Sequence, residues 1–215
     1  MPDFLILKLQ GVMQAWGGHT FEDYRPVHPF PTRSGITGLL GACMGIDRQN
    51  KAGIADLSAS FVYAVRSDTL PVKFTDFHTV MDARKVDGKE NKNPVVSRRE
   101  YLCDAKYTLA LQLRDQAVYT AEEMSAALKK PCYTPFLGRR SCPLCHPLFE
   151  TIINAENLLH ALSQIAPYQG TVYSEQDEGN SSRMMIRDVP MPVGKRQFAT
   201  RTVCIIPTGG GHVSE

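Results

Sequence analysis

The chain has 215 residues, with 24 Lys and Arg against 22 Asp and Glu, for a formal net charge of +2. That length fits one domain, or one domain with a modest appendage, and is enough to bury a real core; the near-neutral charge excludes polyanion binding through a global positive field, so any such contact must come from local clusters. No stretch approaches the ~18 apolar residues of a membrane span, and "MPDFLILKLQG" lacks the basic, long apolar and small-residue segments of a secretory signal, so the expectation is a cytoplasmic protein with reduced cysteines and no membrane partner.

In chain order, "FLILKLQG" (Phe4 to Gly11) reads as a buried strand ended by glycine. The polar stretch "VMQAWGGHTFEDYRPVHPFP" that follows is longer than a simple connection needs, which marks it as a functional loop. "TRSGITGLLGACMGI" sets Ile36, Leu39, Leu40 and Cys43 at helical spacing, with Thr32 or Ser34 available to cap its start. Its internal glycines weaken an isolated helix and read as points of close packing or close approach. Ala59 to Asp68 and Val72 to Val80 alternate as strands, whereas Met81 to Val96 is a polar excursion with a hairpin turn expected near Asp87 and Gly88. Strand character resumes through "SRREYLCDAKYTLALQLR". A helix then opens at Thr120 with Glu123 completing a capping box, and it closes on Lys129, Lys130 and Pro131.

This order, β-α-β-β-(arm)-β-α, resembles a ferredoxin-like or RRM-type core with an insertion. The expected class is α+β, with a small β-rich C-terminal portion after residue 147. That portion holds a helix candidate, Ala155 to Ile165, and the strand-like segments "GTVYSE", "RMMIRDVP" and "RQFATRTVCIIP". The closing "TGGGHVSE" reads as a frayed end.

The stretch "YTPFLGRRSCPLCHP", Tyr133 to Pro147, supports three chemistries. Cys142, Cys145 and His146 have knuckle spacing, with Cys132 as a further ligand, but the second ligand pair of a structural zinc site is missing; cysteines packed as small hydrophobes are the alternative. A Cys-His nucleophile pair is disfavoured because sequence neighbours seldom face each other. His19, His28, His78, Tyr24 and Lys73 are eligible acid–base groups for metal-independent RNA cleavage, yet no spacing singles one out. The third chemistry is a polyanion grip. Gly138 allows close backbone approach, Arg139 and Arg140 offer bidentate phosphate contacts, and Tyr133 and Phe136 offer faces for unstacked bases. Similar mixtures recur in "SRREY", with Arg98 and Arg99, and in "GKRQF". In "PTRSG", Arg33 and Ser34 stand at a helix N-terminus, a natural anion site. Together the clusters favour RNA over solvated arginine surface.

Four blocks, "LILKLQGVMQAWG", "FPTRSGITGLLGACMGI", "REYLCDA" and "YTPFLGRRSCPL", appear in an order that resembles the Cas-five family of CRISPR-associated proteins, most nearly the branch of the type I-E Cascade surveillance complex. The resemblance implies an RRM-like domain over 1–147 with a β-hairpin thumb at about 76–99 and a glycine-rich loop at about 133–147, followed by a C-terminal portion over 148–215. It implies a non-catalytic subunit without cofactor or metal. Such a subunit holds the 5′ handle of a crRNA, caps the backbone-subunit filament, sits beside the large PAM-reading subunit, and displaces a base of the guide–target DNA duplex with its thumb. Carried over, the RNA-binding residues are Met13, Gln14 and Trp16 in the loop after the first strand, Arg33 and Ser34 opening the first helix, and Tyr133, Gly138, Arg139, Arg140 and Ser141 in the glycine loop. In the thumb, Lys and Arg outnumber Asp and Glu, which suits an arm lying along phosphates. Subtype I-C relatives cleave precursor RNA with a Tyr, Lys and His set; the adjacent Lys-His pair is absent from the middle of this chain, so cleavage is not carried over.

Overall fold

A computed structural model describes residues 1–84, 87–91, 93–177, 181–191 and 197–208. Its elements in order are β1 (Asp3–Gln10), β2 (Met13–Gln14), β3 (Tyr24–Arg25), α1 (Arg33–Met44), α2 (Lys51–Ala59), β4 (Phe61–Ser67), β5 (Val72–Val80), β6 (Val95–Cys103) and β7 (Lys106–Leu113). After them come α3 (Ala121–Lys129), β8 (Phe149–Asn154), α4 (Leu158–Ser163), β9 (Gly170–Ser174), β10 (Ser182–Pro190) and β11 (Phe198–Thr208). Seven strands form one antiparallel sheet in the order β10-β11-β9-β4-β7-β1-β8. The chain after Pro147 thus contributes β8 to one edge and β9 to β11 toward the other, within the same sheet as the N-terminal strands.

The unbroken apolar run of β1 follows from burial on both faces. Leu5, Leu7 and Leu9 pack with α1 and α3 through Ile36, Leu40, Met124 and Leu128. Phe4 and Ile6 point the other way, into a smaller cluster with Leu158, Ala161 and Leu162 of α4. Lys8, on that second face, is also buried; its ammonium donates to the Thr108 hydroxyl (2.8 Å) and the Ala166 carbonyl (2.9 Å), and burial lowers its pKa.

Local signals hold where capping chemistry is strong. The Thr32 hydroxyl accepts from the Gly35 amide at the start of α1, and Thr120 and Glu123 complete the capping box of α3. The tract expected as one strand after the arm is instead two strands in two sheets. The chain breaks at Asp104, whose φ is 53°; β7 stays in the large sheet, while β6 pairs with β5, β2 and β3. Two conditions force the break: Ala105 is buried, and Gln14 donates to both Leu9 O (3.0 Å) and Ala105 O (2.7 Å), pinning the junction to the end of β1. Helix α2 had no counterpart in the sequence reading, although Asn50 caps it by accepting from the Gly53 amide.

β5 and β6 form an antiparallel pair from Val72↔Cys103 to Val80↔Val95. Beyond it, an isolated bridge joins Arg84 and Glu90, and Gly88 has a φ of 81°. Lys85 and Lys92 of this arm, Gly194 to Arg196 of the "GKRQF" cluster, and the tail after Thr208 lie outside the described residues.

An ion network fastens the C-terminal strands to α1. Arg33 pairs with Glu175 and reaches the Ser58 and Phe61 carbonyls, and its own amide donates to Asp188 (2.7 Å). Arg201 bridges Asp188 (2.7 Å) and Glu175 (3.1 Å) and donates to the Tyr63 hydroxyl (2.8 Å). Burial pushes the Tyr63 phenol strongly upward, so it stays protonated.

The 136–143 bend is fixed to the loop after β1. Ala15 N donates to Leu137 O (3.0 Å), Leu137 and Cys142 are fully buried, and Gly138 has a φ of 84° with its α-carbon against the Ala15 carbonyl. A Cβ at Gly138 would overlap that carbonyl, whereas one at Gly38 on α1 would meet nothing within 4 Å. Gly138→Ala is therefore expected to lower stability by ~2 kcal/mol or more, from a left-handed residue plus a backbone clash. Gly38→Ala should be neutral or stabilising by up to ~1 kcal/mol, the helix-propensity gain. Urea denaturation of the two variants checks the contrast, and equal midpoints would refute it.

Candidate functional site

The outer surface of α1, the loop 15–20, the start of α2, the 133–140 bend and the facing ends of β10 and β11 enclose a cleft of about 1070 Å³. Its floor is small-residued: Ser34, Gly35, Thr37, Gly38 and Gly41 line it. Trp16 explains part of this composition. The indole is completely buried and lies so flat on α1 that a Cβ at Gly35 would come within 2.7 Å of its ring.

The residues expected to bind RNA fall into two groups. Gln14 and Trp16 are turned inward: the indole NH donates to the Gln14 side-chain carbonyl (2.9 Å), whose amide holds the β1 and β7 ends. Met13 is half-buried and paired with Cys103. Arg33 corrects the anion-site expectation most clearly, since its guanidinium is committed to Glu175 and two carbonyls and the helix-start amide is taken by Asp188. Arg139 is also internal. Its guanidinium donates to Glu100 O (2.8 Å) and Arg25 O (3.1 Å) and stacks over the Tyr101 ring at 4.7 Å. The two neighbouring arginines both line the cleft but differ in kind, because Arg140 is exposed whereas the guanidinium of Arg139 is committed to two carbonyls.

In the second group, Ser34, Tyr133, Gly138 and Arg140 share the cleft. Tyr133 and Phe136, which also line the cleft, keep 49% and 37% of their surface exposed. Ser141 is exposed beside the bend and does not line the cleft. Arg98 and Arg99 lie on the arm: Arg98 is exposed with its guanidinium 5.9 Å from the Phe77 ring, and Arg99 donates to the Ser97 hydroxyl (3.0 Å).

Several cleft cations were missed in the sequence. Arg25, Arg48, Lys51 and Arg187 join Arg139 and Arg140 around the cavity, against only Asp47 and Asp188. Asp188 is buried and paired with Arg201, so it contributes little free negative charge. Arg48 and Lys51 flank the Asn50 cap of α2; recognising that cap would have placed both at a helix start facing the loop.

At the arm's base, Glu100 accepts from the Tyr24 hydroxyl, the Val27 amide (3.0 Å) and Lys73 (3.3 Å). Burial would push its carboxyl up, but these donors outweigh that and hold it below the usual carboxylate range. Next to it, His78 Nε2 lies 2.9 Å from the Asp76 carboxylate and 3.3 Å from the Tyr101 hydroxyl. The cysteines do not converge. Cys142 is buried, and burial raises its thiol, while Cys132 and Cys145 are exposed. Among the described residues no three His, Cys, Asp or Glu side chains gather as a metal site, and no helix is long and apolar enough to cross a membrane.

Comparison with known proteins accounts for this architecture. A family model described as CRISPR-associated protein (Cas_Cas5) matches residues 4–204. The chain is 44% identical, over the full length of both, to the CRISPR system Cascade subunit CasD of Escherichia coli (strain K12). A chain of a solved CRISPR RNA-guided surveillance complex superposes with a TM-score of 0.76 at 26% identity, covering 95% of this chain and 90% of that one. A second solved structure, a Cas protein, superposes with a TM-score of 0.67 at 27% identity over 96% and 98% of the two chains. With the match running from the first strand to the last, this chain belongs to the Cas5 family of CRISPR-associated proteins.

Proposed function

We propose that this chain is a non-catalytic, RNA-binding subunit of a type I-E CRISPR surveillance complex. In this reading it holds the 5′ handle of a crRNA, caps one end of the backbone-subunit filament and sits beside the large PAM-reading subunit. The observation that carries the reading is the cleft's charge: six cationic side chains and two carboxylates, one of them internally paired, in a chain whose net charge is only +2. A single RNA strand fits this chemistry because its bases are splayed and available for stacking. Exposed Tyr133 and Phe136 provide the ring faces, while Arg48, Lys51 and Arg140 follow the phosphates. Gln14, Trp16, Gly138 and Arg139 serve by positioning the bend and loop, and Arg33 by locking the helix.

The strand order β4-β7-β1-β8, with α1 and α3 packed on one face, supports a ferredoxin-like core. Residues 1–147 then carry the arm and the bend, and 148–215 bring the edge strands. The β5–β6 pair is the thumb of this reading. Phe77, Val80, Met81, Val95 and Val96 are exposed on it, an apolar surface suited to insertion against stacked bases or a neighbouring subunit. Target sequence is read by guide pairing, not by this chain.

A second reading, metal-independent cleavage of repeat RNA, draws on one specific arrangement. Asp76, His78 and Tyr101 lie within hydrogen-bond reach in series and include acid–base chemistry. Incubating the full chain with labelled repeat RNA in EDTA separates the readings; the expected outcome is intact RNA, and site-specific cleavage lost in His78→Ala would replace binding by catalysis.

Arg48→Ala combined with Arg140→Ala is expected to weaken binding of handle RNA and to flatten the dependence of log Kd on log salt by ~1.4, at about 0.7 per lost phosphate contact on a single strand. An unchanged slope in a salt titration would show that these side chains do not meet the backbone. Deleting Ala83 to Pro94 should leave the thermal melt within a few degrees, because β5 and β6 remain paired through Val80 and Val95, while assembly of the complex or target pairing fails. Global unfolding of the deletion would instead make the arm part of the core.

A further inference from the structure

The floor of the cleft contains one feature that fold and charge leave unexplained. Thr37, on the cleft side of α1, is 2% exposed, and its hydroxyl has no hydrogen-bond partner among the described residues. A threonine in a helix ordinarily turns its hydroxyl onto the carbonyl four residues back, and burying a hydroxyl without a partner is unfavourable. Beside Thr37 in sequence, Gly38 leaves open space where a side chain would stand. A buried hydroxyl without a protein partner calls for one from outside the fold, and its place on the cleft floor makes a bound ligand a source of it.

We propose that Thr37 recognises a ribose 2′-hydroxyl and makes the cleft selective for RNA over DNA; the inference rests on the reading of the cleft as a single-strand RNA site. The choice of ribose over base follows from the chemistry of the lone hydroxyl. A threonine hydroxyl both donates and accepts, so by itself it pairs equally with a donor or an acceptor on a base edge and cannot distinguish bases. A 2′-hydroxyl has the same dual character and is the group that separates RNA from DNA. The side-chain-free surface at Gly38 lets a sugar approach the helix, and Arg48, Lys51 and Arg140 around the same cavity suit the adjoining phosphates.

The test is a thermodynamic cycle on the full chain. The probe is a synthetic single-stranded RNA with the 5′-handle sequence of the protein's own repeat, compared with versions carrying one 2′-deoxy substitution at a time and with the all-deoxy strand. Fluorescence anisotropy gives Kd for the wild type, Thr37→Val and Thr37→Ser. One deoxy position is expected to weaken wild-type binding by about threefold to tenfold, the range of a neutral hydrogen bond. That position should have no further effect in Thr37→Val, and Thr37→Ser should restore it. Thr37→Val should melt no lower than the wild type, since it removes an unsatisfied buried hydroxyl, and should bind the all-deoxy strand unchanged. Additive losses at every position, or a changed preference among bases in place of a changed ribose effect, overturn the proposal. Arg48→Ala with Arg140→Ala reports separately on the cleft: if that pair weakens RNA and DNA alike, the cleft reading stands whatever Thr37 does, and if it weakens neither, both fall.

Discussion

The seating of Gly138 against the Ala15 carbonyl is the contact on which the rest of the site depends. Only a residue without a Cβ, in the left-handed region, brings the 136–143 bend that close to the loop after β1. Once it is seated, Leu137 and Cys142 enter the core and Trp16 lies on Gly35. The cleft's floor and one wall are thereby parts of a single packed unit. Arg139 extends that unit toward the arm, since the carbonyls it binds belong to Glu100 on β6 and Arg25 on β3. The arm's base and the bend are thereby joined by two hydrogen bonds and a cation–ring contact.

The opposite wall is held by charge. Arg33, Arg201, Glu175 and Asp188 pair two cations with two carboxylates, each buried or nearly so. Such networks cost desolvation and are often no more stabilising than apolar packing, but removing one partner leaves a buried charge uncompensated. Here all the pairs close together with β10 and β11 docked at the start of α1. The price is that α1 offers no open amide to an anion at Arg33.

How much of this was legible in the sequence depended on whether the signal was local. Capping at Thr32 and Thr120, the buried run of β1 and the strand character of β4 and β5 are properties of a few neighbouring residues, and they were readable; the alternation expected of β4 was not met, since it is buried on both faces. The split at Asp104 was not readable, because it is imposed from Gln14, some 90 positions earlier in the chain and bonded to the Ala105 carbonyl. The fate of each arginine was equally hidden. Arg139 and Arg140 are adjacent and chemically identical, yet one stacks on Tyr101 under two carbonyls and the other faces the cavity. Composition marks a basic cluster; only the partners brought by the fold decide which guanidinium remains available to a ligand.

That sorting explains how a barely basic chain builds a positive cleft. Arg33 and Arg201, lost to internal roles, take carboxylates out of play with them: they neutralise Glu175 and Asp188, and Lys73 neutralises Glu100 with help from Tyr24 and the Val27 amide. With those acids paired inside, the cations left around the cavity face little opposing charge, although the whole chain carries an excess of only two. A local field of this kind is short-ranged, since screening confines exposed charges to about 8–10 Å at physiological salt. Its reach is therefore the cleft itself and not the surface at large, so the positive field acts only on a group already inside the cavity.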